Sequence, residues 1–127
     1  MATIFTKIIN GEIPCHKVAE TDRFLAFLDI FPLKKGHTLV IPKKEVDYIF
    51  DLDDETYEGL MRFSKSIAHA IEKAVPCKRV GILVEGLEVP HAHVHLIPIV
   101  KHFKPKVLPQ FSHEDLAKIA EKIRAQF

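Results

Sequence analysis

The sequence has only two cysteines, no tryptophan and no long apolar run. Cys15 and Cys77 form no Cys-x-x-Cys pair, which excludes a disulfide scaffold and favours a reducing compartment. No apolar stretch approaches the roughly 20 residues of a membrane span. The first residues also lack the basic and apolar segments of an export signal. We therefore expect a cytoplasmic protein with no membrane partner.

An excess of one charge is also missing, since 18 lysines and arginines are balanced by 17 aspartates and glutamates. A net charge of +1 does not support a broad basic face, so we expect no nucleic-acid partner. Five glycines, eight prolines and 47% hydrophobic residues are typical of a globular chain. With 127 residues, no repeat and no linker, the sequence predicts one domain over residues 1–127.

The apolar pattern predicts strands followed by a long helix. Four short runs have the length and composition of strands, namely His16–Glu20, Phe24–Ile30, His37–Pro42 and Val80–Val84. Between Tyr57 and Val75 the apolar residues repeat at helical spacing, and Pro76 ends that run. A capping pattern at Ser112 opens a last helix. This order predicts an α+β fold with a mainly antiparallel sheet of about five strands, one long central helix and a C-terminal helix.

Histidine is abundant in one place, because three of the eight histidines lie within five residues. They are His91, His93 and His95. Side chains alternate between the two faces of a strand. A strand here would therefore place the three imidazoles on one face and the intervening Ala92, Val94 and Leu96 on the other.

Three interpretations of this histidine face stay open. The imidazoles could be ordinary hydrogen-bonded surface groups. Two of them could share a zinc ion with another histidine or a carboxylate, although no thiolate pair is present. Alternatively, one imidazole could attack a phosphorus atom while its neighbours bind the charged oxygens and move protons, since imidazole titrates near neutrality.

The segment His91–Ile97 resembles the His-φ-His-φ-His-φ-φ signature of the histidine-triad (HIT) superfamily of nucleotide hydrolases and transferases, where φ is apolar. Three further blocks resemble that family in the same order, namely Ile4–Pro14, Leu25–Ile30 and Gly36–Lys43. The branch it is most similar to is that of small hydrolases like the nucleoside phosphoramidases. The resemblance implies a HIT-like fold with a core over about residues 3–100 and a C-terminal extension with a helix over about residues 101–127.

The resemblance also implies a role for each matching residue. His93 matches the nucleophile, while His91 and His95 match the histidines that orient it, bind phosphate oxygens and help to transfer protons. His37 matches a further histidine beside the triad, and Asp29 matches the carboxylate that binds the ribose hydroxyls. The positions that sandwich the base are matched by Ile4, Phe5, Ile8, Phe27, Ile30 and Leu39.

One departure from the family pattern concerns metal. Many bacterial relatives hold a structural zinc ion with a Cys-x-x-Cys pair and a histidine, where this sequence has Thr3, Thr6 and Glu45. Because the soft ligands are gone, we expect no metal and no other cofactor.

A second departure lies in the short loop before the triad. Gly86 keeps its place as a nucleotide-binding position, but Leu87 and Glu88 stand where an amide and a hydroxyl usually approach the phosphate. An ionised Glu88 would repel an anionic substrate at close range, so this position bears on substrate choice.

The sequence therefore predicts a HIT-type hydrolase that cleaves the α-phosphate linkage of purine nucleoside phosphoramidates or related nucleotides through a nucleotidyl-histidine intermediate. The alternative is a nucleotide-binding module with little or no turnover, in which Glu88 opposes the phosphate. A metal-dependent enzyme built on His91, His93 and His95 is a third interpretation. The resemblance also implies a homodimer in which two sheets join edge to edge.

Overall fold

The computed structural model describes residues 2–102 and 107–127, so residues 103–106 of the expected C-terminal extension lie outside it. Its helices are α1 (Ile4–Ile9), α2 (Asp54–Ala74) and α3 (His113–Arg124). Its strands are β1 (Lys17–Glu20), β2 (Phe24–Leu28), β3 (Thr38–Pro42), β4 (Arg79–Leu83) and β5 (Val94–Ile99). A short 3₁₀ turn at Ile49–Asp51 precedes α2.

The five strands form one antiparallel sheet in the order β1-β2-β3-β5-β4. The predicted α+β fold is confirmed. Helix α2 and strand β4 are inserted in the sequence between β3 and β5, which pair side by side. This pairing places His95 of β5 opposite Leu39 on one neighbour and Leu83 on the other.

The histidine segment differs from the predicted strand at its start. Strand β5 begins at Val94, so that only His95 of the three histidines lies in a strand. The amide of His91 donates to the carbonyl of Val89 at 2.8 Å, which is a turn contact rather than a bond between strands. Pro90 has no amide hydrogen for a strand ladder, and it favours this break.

The two faces of the sheet are nevertheless used as the alternation predicts. One face packs on α2 through a buried cluster that includes Ala26, Val40, Leu60, Ile67, Ala92, Val94 and Leu96. The opposite face carries a second cluster of Phe5, Leu25, Phe27, Leu39 and Ile41. The rings of His91 and His93 lie on the side of Phe5, with ring centroids 5.7 and 4.9 Å from its own.

Helix α2 matches its sequence signals. The Asp53 side chain accepts a hydrogen bond from the amide of Thr56, and the acidic first turn suits the positive end of the helix dipole. The helix ends at Ala74, two residues before Pro76, because a residue that precedes proline is forced out of the helical region. Its long apolar stripe packs against β2, β3, β4 and β5, so α2 lies on one face of the sheet only.

The terminal helices differ in how they pack. Helix α1 has only six residues, and it carries the buried Phe5 onto the second face of the sheet. Helix α3 is capped by Ser112, as predicted, but the apolar residues Leu116, Ile119 and Ile123 on it remain exposed. Among the helices within residues 2–102 and 107–127, none is long and apolar enough to cross a membrane.

Candidate active site

Two adjoining cavities lie on the face of the sheet opposite α2. The apolar cavity has a volume of about 320 Å³ and the polar cavity one of about 290 Å³. They share five lining residues, namely Asp29, Phe31, Glu88, His93 and His95. Because they share this boundary, the two cavities form one groove with an apolar half and a polar half, an arrangement suited to a ligand with a flat ring and a charged group.

The apolar cavity contains all the residues that the sequence assigns to the base. Its lining includes Ile4, Phe5, Ile8, Phe27, Ile30 and Leu39. Helix α1 supplies one wall, while the ends of β2 and β3 supply another. The rings of Phe5 and Phe27 meet edge to face with centroids 5.7 Å apart, which fixes the shape of this wall.

The polar cavity contains the remaining predicted residues, with the exception of His91. His37, Gly86 and Glu88 line it together with His93 and His95. Gly86 has a φ of 74°, a conformation that a side chain would strain, and this explains why glycine occupies that turn.

Asp29 lies where the two cavities meet, just after the end of β2. It is half-buried, and its Oδ1 atom accepts the amide hydrogen of Phe31 at 2.9 Å. Its Oδ2 atom lies 3.6 Å from Nε2 of His37. The carboxylate is therefore held in place and still has acceptor capacity for ligand hydroxyl groups.

Burial keeps the neighbouring histidines neutral at neutral pH. It lowers the pKa of His37 and of His91. The charge of Asp29 offsets only part of that effect at His37, as the Pro42 carbonyl and then Glu45 do at His91. Burial, followed by repulsion from His93 and His37, lowers the pKa of His95 to about 4. A neutral imidazole carries one hydrogen, so its hydrogen bonds determine which nitrogen keeps the lone pair.

The hydrogen bond of His93 determines which of its two ring nitrogens carries the lone pair. Its Nδ1 atom lies 2.7 Å from the carbonyl oxygen of His91, which can only accept, so Nδ1 carries the hydrogen. In the neutral ring, the lone pair is then on Nε2. The side chain is 5% exposed and lines both cavities. His93 thus presents a nucleophilic nitrogen at the junction of the groove.

His37 and His95 form a directed hydrogen bond. The amide of Leu33 donates to Nδ1 of His37 at 3.1 Å, so the hydrogen of this ring is on Nε2. Nε2 of His37 lies 2.9 Å from Nδ1 of His95 and donates to it. The hydrogen of His95 is therefore on its own Nε2, where the ring can donate to a ligand oxygen or a leaving group.

His91 lies behind the groove and makes its hydrogen bonds to the protein interior. Its side chain is fully buried and lines neither cavity. Nε2 lies 2.8 Å from the carbonyl oxygen of Pro42, and Nδ1 lies 3.1 Å from the hydroxyl of Thr3. His91 can therefore orient His93 through its backbone carbonyl. The resemblance also implied that His91 binds phosphate oxygens, but its side chain does not line the groove.

Two groups of side chains are candidates for metal ligands. Asp29, His37 and His95 each place a ligand atom within 4.8 Å of the others. However, Nε2 of His37 carries a hydrogen for as long as Leu33 occupies Nδ1, so that a metal there would require an imidazolate or the loss of that bond. The triad itself does not fit either, because both nitrogens of His91 have partners. The donor atoms suit a hydrogen-bond relay better than a metal ion.

Comparison with known proteins agrees with this geometry. The family model described as HIT domain matches residues 10–102. The chain belongs to the HIT family. It is 42% identical over 106 residues to an uncharacterised HIT-like protein of Borreliella burgdorferi, with 78% of this chain and 76% of that one covered.

Two further proteins are similar to this chain, one of them with a named activity and the other with a known structure. A Schizosaccharomyces pombe protein named adenosine 5′-monophosphoramidase is 42% identical over 100 residues, with 77% of this chain and 74% of that one covered. The crystal structure of a HIT family member from Bacillus subtilis superposes with a TM-score of 0.87 at 33% identity, with 100% of this chain and 98% of that one covered.

The polar cavity of this HIT protein is acidic. Asp29, Glu85 and Glu88 line it, and no lysine or arginine does so within the described part of the chain. An anionic phosphate in this cavity would therefore be bound by uncharged donors, such as Nε2–H of His95, and would lie near two exposed glutamates.

Sequence reasoning missed several contributors to the HIT site, among them Phe31, Glu85 and the amide of Leu33. Phe31 is exposed and lines both cavities, and Glu85 lines the polar one. The backbone amide of Leu33 fixes the tautomer of His37. An apolar ring next to Asp29 is a signal that could have pointed to Phe31, but no sequence signal reports the direction of a backbone amide.

Proposed function

We propose that this HIT protein is a hydrolase that cleaves purine nucleoside 5′-phosphoramidates, or nucleotides with a similar linkage, at the α-phosphorus. The observation that carries the proposal is the lone pair on Nε2 of His93 at the junction of an apolar cavity and a polar cavity. The relative named adenosine 5′-monophosphoramidase supports the choice of substrate class.

In the proposed complex, the substrate lies along the groove. The base occupies the apolar cavity against Phe5, Phe27 and Leu39. Asp29 accepts hydrogen bonds from the ribose hydroxyls at the boundary, and the α-phosphate lies in the polar cavity beside His93 and His95. This placement puts the electrophilic phosphorus next to the nucleophilic nitrogen, which is the main requirement for displacement at phosphorus.

The proposed reaction has two displacements. Nε2 of His93 forms a bond to phosphorus as the P–N bond to the leaving amine breaks, and that amine takes one proton, which enters from solvent through the His37–His95 pair. Water then forms a new P–O bond as the bond to His93 breaks, and one proton of that water leaves to solvent through the same pair. The products are the nucleoside monophosphate and the free amine, and every group of the protein regains its starting state.

Turnover of adenosine 5′-phosphoramidate by the wild type and by His93→Asn tests the proposal, with release of AMP as the readout. Loss of the nucleophile is expected to lower kcat by roughly three orders of magnitude or more. His69→Asn is the matched control, because His69 lies on the exposed surface of α2. Undiminished turnover by His93→Asn contradicts the proposal.

A second candidate is favoured by the acidic polar cavity, namely a nucleotide-binding module with little turnover. Glu85 and Glu88 line the cavity in which the proposal places the phosphate, so their charges would oppose the negative charge of a transition state. Calorimetry with AMP and GMP distinguishes the two candidates. Binding of the monophosphate without hydrolysis of any phosphoramidate or dinucleotide supports the module, whereas steady release of AMP supports the hydrolase.

We also propose a homodimer that joins two sheets through β4. Strand β4 is an edge of the sheet, and Ile82 and Leu83 on it are exposed. Next to it, Tyr48, Phe50 and Leu87 line an apolar cavity of about 490 Å³. Unpaired edges and apolar patches of this kind favour association. Light scattering should give twice the chain mass, and Ile82→Lys should give the monomer mass.

A further inference from the structure

A chain of hydrogen bonds ties the start of α1 to the base of the triad. The Thr3 hydroxyl lies 3.1 Å from Nδ1 of the buried His91 and also accepts the amide hydrogen of Thr6 at 3.1 Å. One oxygen of the Glu45 carboxylate accepts from the Thr3 amide at 2.9 Å and from the Thr6 hydroxyl at 2.6 Å. We call these four residues, Thr3, Thr6, Glu45 and His91, the α1 clasp.

The shortest contacts place the hydrogens of the α1 clasp. Nε2 of His91 faces the carbonyl oxygen of Pro42, so it must carry the hydrogen, and Nδ1 is left as an acceptor. The Thr3 hydroxyl then donates to Nδ1 at 3.1 Å, which is the nearer of its two acceptors, since the Thr6 hydroxyl oxygen lies 3.4 Å away. The Thr6 hydroxyl donates to Glu45, whose pKa is lowered first by the Thr3 amide and then by this hydroxyl. The acceptors and donors of the clasp are therefore fully matched.

The clasp is connected to the nucleophile by two routes. Through the backbone, the carbonyl oxygen of His91 accepts the Nδ1 hydrogen of His93 at 2.7 Å. Through α1, the ring of Phe5 meets the rings of both His91 and His93 edge on. A shift of Thr3 would therefore move the carbonyl and the aromatic wall that hold the ring of His93.

We propose that Thr3 is a positioning residue for the reaction, because its hydroxyl holds His91 in the Nε2–H tautomer and thereby aims Nε2 of His93, while Glu45 anchors the helix end that carries Thr3. This proposal rests on the proposed function. Neither Thr3 nor Glu45 lines the cavities, so they act on orientation and not on ligand contact.

The test compares Thr3→Val, which keeps the side-chain shape and loses the hydroxyl, with Thr3→Ser, which keeps the hydroxyl. Turnover of adenosine 5′-phosphoramidate and the imidazole ¹⁵N spectrum of His91 are measured. Thr3→Val should lower kcat by about tenfold or more with KM within about twofold, as is typical of misplaced reacting groups. The Nδ1 and Nε2 resonances of His91 should move in Thr3→Val, and Thr3→Ser should restore both kcat and the spectrum.

A control separates positioning from the loss of a helix cap. Ser112→Ala removes the N-cap hydroxyl of α3 and should leave kcat and the His91 spectrum unchanged. If Thr3→Val does not fold, Glu45→Ala should give the same pattern with a smaller loss of kcat. The proposal is overturned if the kcat of Thr3→Val stays within about twofold of wild type, or if the His91 spectrum does not change. If Thr3→Val does not fold, the same two criteria apply to Glu45→Ala. If the wild type releases no AMP, the proposed function fails, and the spectrum alone then decides the role of Thr3.

Discussion

Nε2 of His37 lies 2.9 Å from Nδ1 of His95, and the hydrogen between them belongs to His37. The Leu33 amide determines this assignment, because it occupies the other nitrogen of His37. The consequence reaches the groove, since His95 must then carry its own hydrogen on Nε2. The backbone amide of Leu33 thus sets which ring nitrogen of His95 can donate to the substrate.

Removal of His37 should therefore impair proton transfer more than binding. We expect His37→Asn to lower kcat by roughly a hundredfold, the low end of the range for acid–base groups, and to leave the affinity for AMP nearly unchanged. Steady-state kinetics with adenosine 5′-phosphoramidate and calorimetry with AMP give the two numbers. His69→Asn serves as the control. A normal kcat in His37→Asn would show that the His37–His95 pair does not transfer the proton.

Asp29→Asn should weaken recognition of the ribose. The amide oxygen can still accept from Phe31, as Oδ1 does now, but the negative acceptor for sugar hydroxyls is lost. We expect about tenfold weaker binding of AMP, since a hydrogen bond to a charged group contributes about 1.5–3 kcal/mol. Binding of 2′,3′-dideoxy-AMP should change little. Equal losses for both nucleotides would show that Asp29 does not read the ribose.

The stability of the protein should fall as the pH drops below 6.5. Burial lowers the pKa of His37, His91 and His95 in the folded state, to about 4 for His95, from an ordinary value of 6.5. Between those values the unfolded chain binds more protons than the folded one. The free energy of unfolding is therefore highest above pH 6.5 and decreases toward pH 4.

Urea denaturation across this range checks the prediction. His95→Gln should flatten the decrease, whereas the exposed His69→Asn should not. Carboxylates such as Glu20, whose pKa is lowered to about 2 by Lys17 and Lys43, lose their contribution only below pH 4.5. A free energy of unfolding that stays constant from pH 6.5 to pH 4.5 would contradict the neutral state assigned to these rings.

Glu88→Gln should strengthen the binding of anionic ligands. The side chain is exposed at the boundary of both cavities, so that removal of its charge reduces repulsion of the phosphate through a medium of high dielectric constant. We expect AMP to bind about two- to fivefold more tightly at low salt, with the gain shrinking as salt is added. Glu121→Gln on α3 makes the same change in net charge, and an equal gain there would mean that the effect is not local.

Much of the fold could be predicted because it depends on local patterns. The apolar stripe from Tyr57 to Val75 and the helix stop at Pro76 predicted α2 correctly. The alternation around His93 correctly predicted that Ala92, Val94 and Leu96 lie on the face that packs on α2. Helix α1 was not predicted, since six residues contain too short a period to distinguish a helix from a strand.

The site was less predictable where it depends on contacts distant in sequence. The buried state of His91 follows from Thr3 and Pro42, which lie far from it along the chain. Likewise, the tautomer of His37 depends on a loop amide. Residue types could therefore indicate which imidazoles gather, but not which nitrogen of each ring is free.

The stereochemical course at phosphorus tests the central claim, that His93 forms a covalent bond to the substrate, most directly. A chiral adenosine phosphoramidothioate hydrolysed in ¹⁸O-labelled water gives a product whose configuration can be read by ³¹P NMR. Two successive in-line displacements, through His93 and then through water, predict overall retention of configuration. Inversion would mean that water attacks phosphorus in a single step, and it would contradict the account.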